Sequence, residues 1–223
     1  MPTTYATLTT AIARAHAPMD NKTGIFLTLW MVSSMANAEL TIQALSYQER
    51  LTTRSADAIE IVVIHCTELP DLASAREFGE KIHYPQSRTG NSGHFYIDRD
   101  GLTEQWVDPL RVAHHVAGGN ENSIGIELVN LGRFPDWFDS RKQVPEEPYP
   151  ATQITALITL LNKLADQYPN LKYITGHQDL DQRQQPASDN PALMIPRKID
   201  PGPQFPWQQV LSAINLIRPA ADG

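Results

Sequence analysis

Only one cysteine, Cys66, occurs among the 223 residues, so an internal disulfide is excluded. It lies in an apolar run directly after His65, which reads as a buried structural thiol, since a nucleophilic cysteine needs an exposed, electropositive setting. Basic runs are also absent. With 18 Lys and Arg against 25 Asp and Glu, the net charge is −7 and the pI about 5.4, which removes the electrostatic footprint of a nucleic-acid binder. No apolar stretch reaches the roughly 20 residues that a helix needs to cross a bilayer, and no internal repeat is visible, which excludes a solenoid. What remains, at 41% hydrophobic and 19% charged residues, is a globular chain long enough for one generous domain.

The first 38 residues stand apart. Gly24 to Val32 is an apolar run preceded by Lys22 and followed by Ala36-Asn37-Ala38, the order of a secretory signal with cleavage after Ala38. Met19 stands just ahead of the run and reads as the true start, leaving Met1 to Pro18 as an upstream extension. Residues 39–58 are polar and aperiodic and read as an approach segment. The domain proper is expected from Ile59 or Glu60.

Ile61-Val62-Val63-Ile64 is a β-branched run of strand length that delivers His65 at its C-terminal end. Ser74 to His83 carries Phe78 and Ile82 at helical spacing. His94 to Asp98 followed by Arg99-Asp100-Gly101 predicts a strand and a tight turn, with Thr103 to Val107 returning. In Ser123 to Val129 a period of two puts Ser123, Gly125, Glu127 and Val129 on one face, so a carboxylate stands within an apolar strand and needs a partner. Asn130 to Pro150 is a long loop with Phe134, Trp137, Phe138 and Tyr149, the kind that forms a wall or lid. Thr152 to Tyr168 is an amphipathic helix through Ile154, Leu157, Ile158, Leu161, Leu164 and Ala165, stopped by Pro169. Lys172 to Thr175 is a last core strand leading into His177, and Pro206 to Ile217 predicts a closing helix. Together these predict an α/β fold in a single domain, a mixed central sheet flanked by helices.

Three residues stand out at the ends of these elements. His65, His177 and Asp200 supply two imidazoles and a carboxylate, the donor set of a catalytic zinc that leaves a fourth position for water. Such a site would lower the pKa of bound water toward roughly 7. Glu127 is the natural base to take a proton and pass it to a leaving amine. Lys198, two positions before Asp200, could stabilise an oxyanion. Each residue taken alone has a plainer reading as a hydrogen-bonded histidine, a paired acid or a solvated lysine, so the site stands only as a constellation.

Six ordered stretches carry a resemblance: Ile64 to Thr67, Gly93 to Gly101, Ala113-His114-His115, Asn122 to Glu127, Gly176-His177 and Arg197 to Phe205. They resemble the motifs of zinc-dependent N-acetylmuramoyl-L-alanine amidases of type 2, a family that includes muropeptide amidases, amidase-type phage lysozymes and peptidoglycan recognition proteins. The resemblance implies a type 2 amidase domain over residues 59–218 and a zinc site in a surface groove. It implies His65, His177 and Asp200 as Zn2+ ligands, with Glu127 and Lys198 catalytic. The implied reaction is cleavage of the amide between the lactyl group of N-acetylmuramic acid and L-alanine, in peptidoglycan or muropeptides. By the same pattern neither His94 nor His115 is a zinc ligand; His94 reads as structural and His115 as lining the groove. Trp106, Trp137 and Arg197 are each either a substrate contact or a core or rim residue. Two departures bear on these expectations: the loop from Asp179 to Pro196 is longer than in compact members, and Val116-Ala117-Gly118 follows His115 where Ala-Gly is usual.

An exported zinc amidase in the periplasm or secreted, monomeric and without a membrane anchor after signal cleavage, is therefore the leading expectation. Its rivals are a muropeptide-binding module of the same fold without catalysis, and a zinc peptidase cutting within the stem peptide.

Overall fold

A computed structural model describes residues 40–220. The expected extension and signal segment lie outside the described residues. Six strands form one sheet in the order β1-β4-β3-β5-β2-β6, where β1 is Leu40–Ile42, β2 Ile61–Cys66, β3 Phe95–Ile97, β4 Thr103–Gln105, β5 Ser123–Leu128 and β6 Tyr173–Gly176. Only β3 and β4 pair antiparallel, as the hairpin closed by Asp98 to Gly101; the other pairings are parallel.

The strand period decides what faces what. Val62, Ile64 and Cys66 of β2 and Ile124, Ile126 and Leu128 of β5 join one core cluster under helix α2, Ala151–Gln167. Leu157 and Leu161 of α2 are fully buried there, each contributing about 1.5–3 kcal/mol relative to exposure. The alternate residues, His65 on β2 and Ser123, Gly125 and Glu127 on β5, share the opposite face, and His65 pairs in register with Glu127. A second cluster built on Tyr47, Tyr96 and Trp106 fills that face toward the β4 edge, beside helix α1, Leu72–Gly79.

Three expectations are corrected. Residues 40–58 are not an approach segment: β1 extends the sheet, Leu45, Tyr47 and Leu51 are buried, and the Tyr47 hydroxyl donates to Gly79 O at 2.8 Å. Their apolar residues are spaced by short turns rather than a helix or strand period, so the sequence gives no pattern to read. Helix α1 starts earlier than Ser74, capped by Asp71, and its buried residues are Ala75 and Gly79, while Phe78 and Ile82 are exposed. The closing helix (α4) is only Trp207–Leu211. Beyond it Ile217 runs beside β6, exchanging backbone bonds of 2.9 and 3.0 Å with Lys172 and Ile174. The unpaired edge of β6 offers backbone partners that outweigh a further turn of helix.

Candidate metal centre and cleft

His65 leaves β2 near the C-terminal end of the sheet, and His177 opens helix α3, His177–Leu180, immediately after β6. Asp200 follows an antiparallel pair within the long 179–196 loop, formed by β7, Gln184–Pro186, and β8, Met194–Pro196. All three side chains are buried. Nδ1 of His65 lies 3.0 Å, and Nδ1 of His177 3.1 Å, from the same Asp200 oxygen, Oδ2. Ligands at about 2.0–2.2 Å around a tetrahedral Zn2+ stand roughly 3.3–3.5 Å from one another; the two imidazoles approach Asp200 about that closely, and all three donor atoms lie within 4.8 Å of one another, a set that can close on such an ion.

Electrostatics points the same way. Burial works to raise the Asp200 pKa, but the neighbouring His177 and Lys198 and the close approach of both imidazoles outweigh it and hold the carboxyl well below the usual range. Burial pushes His65 down to about 4, against the pull of Asp200, which keeps the ring neutral as ligation requires. An ionised carboxylate whose Oδ1 is buried without a partner among the described residues, set against a neutral imidazole, is what a bound cation offsets.

The turn carrying His177 is fixed by its own backbone. Asp179 accepts from Gly176 N and Thr175 Oγ1, both at 3.0 Å, and from Arg218 at 2.9 Å, while Gln178 N donates to Asp200 O at 2.9 Å. A Cβ at Gly176 would lie 2.7 Å from Cδ of Pro201, so only glycine lets the segments carrying His177 and Asp200 meet. Gly176→Ala should therefore cost about 1–3 kcal/mol through overpacking and weaken zinc binding by moving Asp200. A melt and a zinc titration of the same sample check both effects.

The three residues sit in a cleft of about 350 Å³ whose walls include Phe78, Tyr84, His115, Glu127, Arg197 and Lys198. Glu127 Oε1 is 4.0 Å from His65 Nδ1, and its side chain keeps 16% exposure. Burial and the Asp200 charge push Glu127 up to about 8, with Lys198 pulling the other way; a dication at the site would also pull it down. His94 is buried and accepts from Gly125 N at 3.0 Å, a structural role as expected. Cys66 is buried, and burial raises its thiol well above the usual value. Trp106 belongs to the core.

The sequence expectations for the rim divide. Arg197 borders the cleft but is tied to Asp181, which also holds Arg183. Trp137 does not line the cleft: its indole N–H donates to Glu68 O at 3.0 Å and its ring meets Phe134 edge-on, so it buttresses the 131–150 loop. Left aside by sequence reasoning, Tyr84 and His114 also line the cleft, with their ring centroids 4.7 Å apart. Also missed was Arg133, buried against Glu68, for which no local pattern gives a signal.

The sequence profile of the N-acetylmuramoyl-L-alanine amidase family matches residues 55–203. The endolysin of Enterobacteria phage T3 is 30% identical over 132 residues, covering 58% of this chain and 82% of that protein. Among solved structures, the amidase LysC from Clostridium intestinale superposes with a TM-score of 0.57 at 22% identity, over 80% of this chain and 99% of the other. AmiD of Escherichia coli, solved with anhydro-N-acetylmuramic acid-L-Ala-D-gamma-Glu-L-Lys, superposes with a TM-score of 0.53 at 26% identity, over 70% of this chain and 57% of that one. A profile match over most of the folded region, on a mixed sheet shared with these structures, means that the chain belongs to the N-acetylmuramoyl-L-alanine amidase family of enzymes.

Proposed function

We propose that this protein is a zinc-dependent hydrolase of the amide bond between the lactyl group of N-acetylmuramic acid and L-alanine in peptidoglycan or muropeptides. The observation that carries the reading is the convergence of His65, His177 and Asp200 on one point in an open cleft. Those three residues would hold Zn2+, which supplies Lewis-acid polarisation of the scissile carbonyl and a water of lowered pKa. Glu127, on the cleft face of β5, takes the proton from the attacking water and returns it to the departing amine. Lys198 holds the developing oxyanion. His115 and Arg197 border the space where substrate lies. An exported, monomeric protein acting in the periplasm or outside the cell accords with that substrate and with the signal-like segment ahead of residue 39.

Mass spectrometry of products from defined muropeptides tests the reading, with and without chelator and zinc add-back. Release of intact stem peptide beginning at L-alanine, lost on chelation and regained with zinc, is the expected result. Cuts within the peptide would replace the amidase reading by a peptidase one, and tight muropeptide binding without cleavage would replace it by a recognition module.

A further inference from the structure

The outer nitrogen of His65 does not face solvent, a carboxylate or a backbone carbonyl. Nε2 lies 3.0 Å from Nδ1 of a second histidine, His115, whose own Nε2 lies 3.1 Å from Ser123 Oγ; that hydroxyl in turn closely approaches Gly119 O. The far end of this chain sets its direction. Gly119 O can only accept, and two oxygens so close need a hydrogen between them, so the Ser123 hydroxyl donates to Gly119 O. Ser123 Oγ then accepts from His115 Nε2–H. A neutral imidazole carries one N–H, which leaves His115 Nδ1 bare and able to accept. His65 must therefore carry its hydrogen on Nε2, and its Nδ1, the atom beside Asp200, is left bare for a metal.

We propose that His115 is a positioning residue which, oriented by Ser123, fixes the tautomer and ring plane of His65 so that Nδ1 faces the metal. This rests on the zinc reading above. The ring of His115 has little freedom to do otherwise. It meets His65 edge-on at 5.1 Å between centroids, with the planes at 88°. A Cβ at residue 125 would fall 2.6 Å from its Cγ, so Gly125 makes room for it. The backbone N–H groups of His115 and Val116 both donate to Asn120 Oδ1, at 3.0 and 2.8 Å. A partner that fixes the orientation of a ligating imidazole raises its basicity and lowers the cost of ordering it.

His115 also borders the cleft, so loss of activity alone would not distinguish positioning from substrate contact. Ser123 separates the two, because it is fully buried and lies outside the cleft lining. The test is a competitive zinc titration of the metal-free full chain, as wild type and as Ser123→Ala, His115→Phe and His115→Asn, with apo melting curves to confirm that each folds. His115→Phe removes the acceptor and should weaken zinc binding about 10- to 100-fold. Ser123→Ala should weaken it less but measurably. His115→Asn, whose amide oxygen can accept from His65 Nε2–H, should recover part of the loss. Wild-type zinc affinity in both His115→Phe and Ser123→Ala, with any defect confined to KM for the muropeptide, would overturn the proposal and leave the zinc reading standing. A wild-type chain that binds no zinc would overturn both.

Discussion

Glu127→Gln should lower kcat/KM for a muropeptide by about 10²- to 10⁴-fold, the usual share of a general base, with zinc affinity and melting temperature close to wild type. The expectation follows from register. Glu127 stands opposite His65 on neighbouring parallel strands, and both point to the cleft face. Its oxygen is thus 4.0 Å from His65 Nδ1, close enough to reach a water at the site without being one of the three residues that converge there. Glutamine keeps the shape and the acceptor oxygen but cannot take a proton. A variant that retains wild-type kcat, or one that loses zinc together with activity, would remove Glu127 from the base role. Single-turnover kinetics on the zinc-loaded variant, read beside a metal assay, separates these outcomes.

The alternation that puts Glu127 on this face is legible from residues 123–129 alone, as is the stripe of α2 from Ile154 to Ala165. Both signals are strong because each element is long enough to show its period and packs one face on a single core. Strand neighbours are less legible. The order β3-β5-β2-β6 interleaves distant segments, so His65 and His177 come together only when Ile64 and Gly176 pair across β2 and β6. Spacing alone does not carry the constellation; donor chemistry suggests it, and the ordered motifs tie its members together. Where tertiary contacts act without a period, sequence reasoning failed. Leu45, Tyr47 and Leu51 are core residues between short turns, and Ile217 trades helix for the open edge of β6. Trp137 shows why a substrate contact is hard to read from sequence: an aromatic residue in a long loop gives the same signal whether it faces a ligand or braces its own loop.

Arg133 is the case furthest beyond any local pattern, and Arg133→Ala should be among the most destabilising single substitutions in the chain. Its guanidinium makes a two-pronged pair with Glu68, at 2.6 and 2.9 Å, and both side chains are largely buried. The remaining donors reach Gln143 Oε1 at 3.1 Å and the backbone carbonyls of Pro196 and Arg197, each at 3.2 Å. One side chain therefore ties together the segment after His65, the 131–150 loop and the strand end that leads into Lys198. Alanine leaves the Glu68 carboxylate buried without a partner and frees two carbonyls, a loss of about 3–5 kcal/mol. For a domain of this size that lowers the melting temperature by on the order of 10 °C. The melt should be read in chelator, because bound zinc stabilises the folded state and would hide part of the loss. Arg133→Ala combined with Glu68→Gln should lose less than the sum of the two single changes, since the charge stranded by the first is absent. In the zinc-loaded enzyme the single variant should also lower kcat more than it raises KM, because the freed carbonyls adjoin Lys198. Additive losses in the double variant would show that Arg133 and Glu68 do not act as a pair, and a kcat unchanged once zinc is restored would show that the pair braces the loop without setting the position of Lys198.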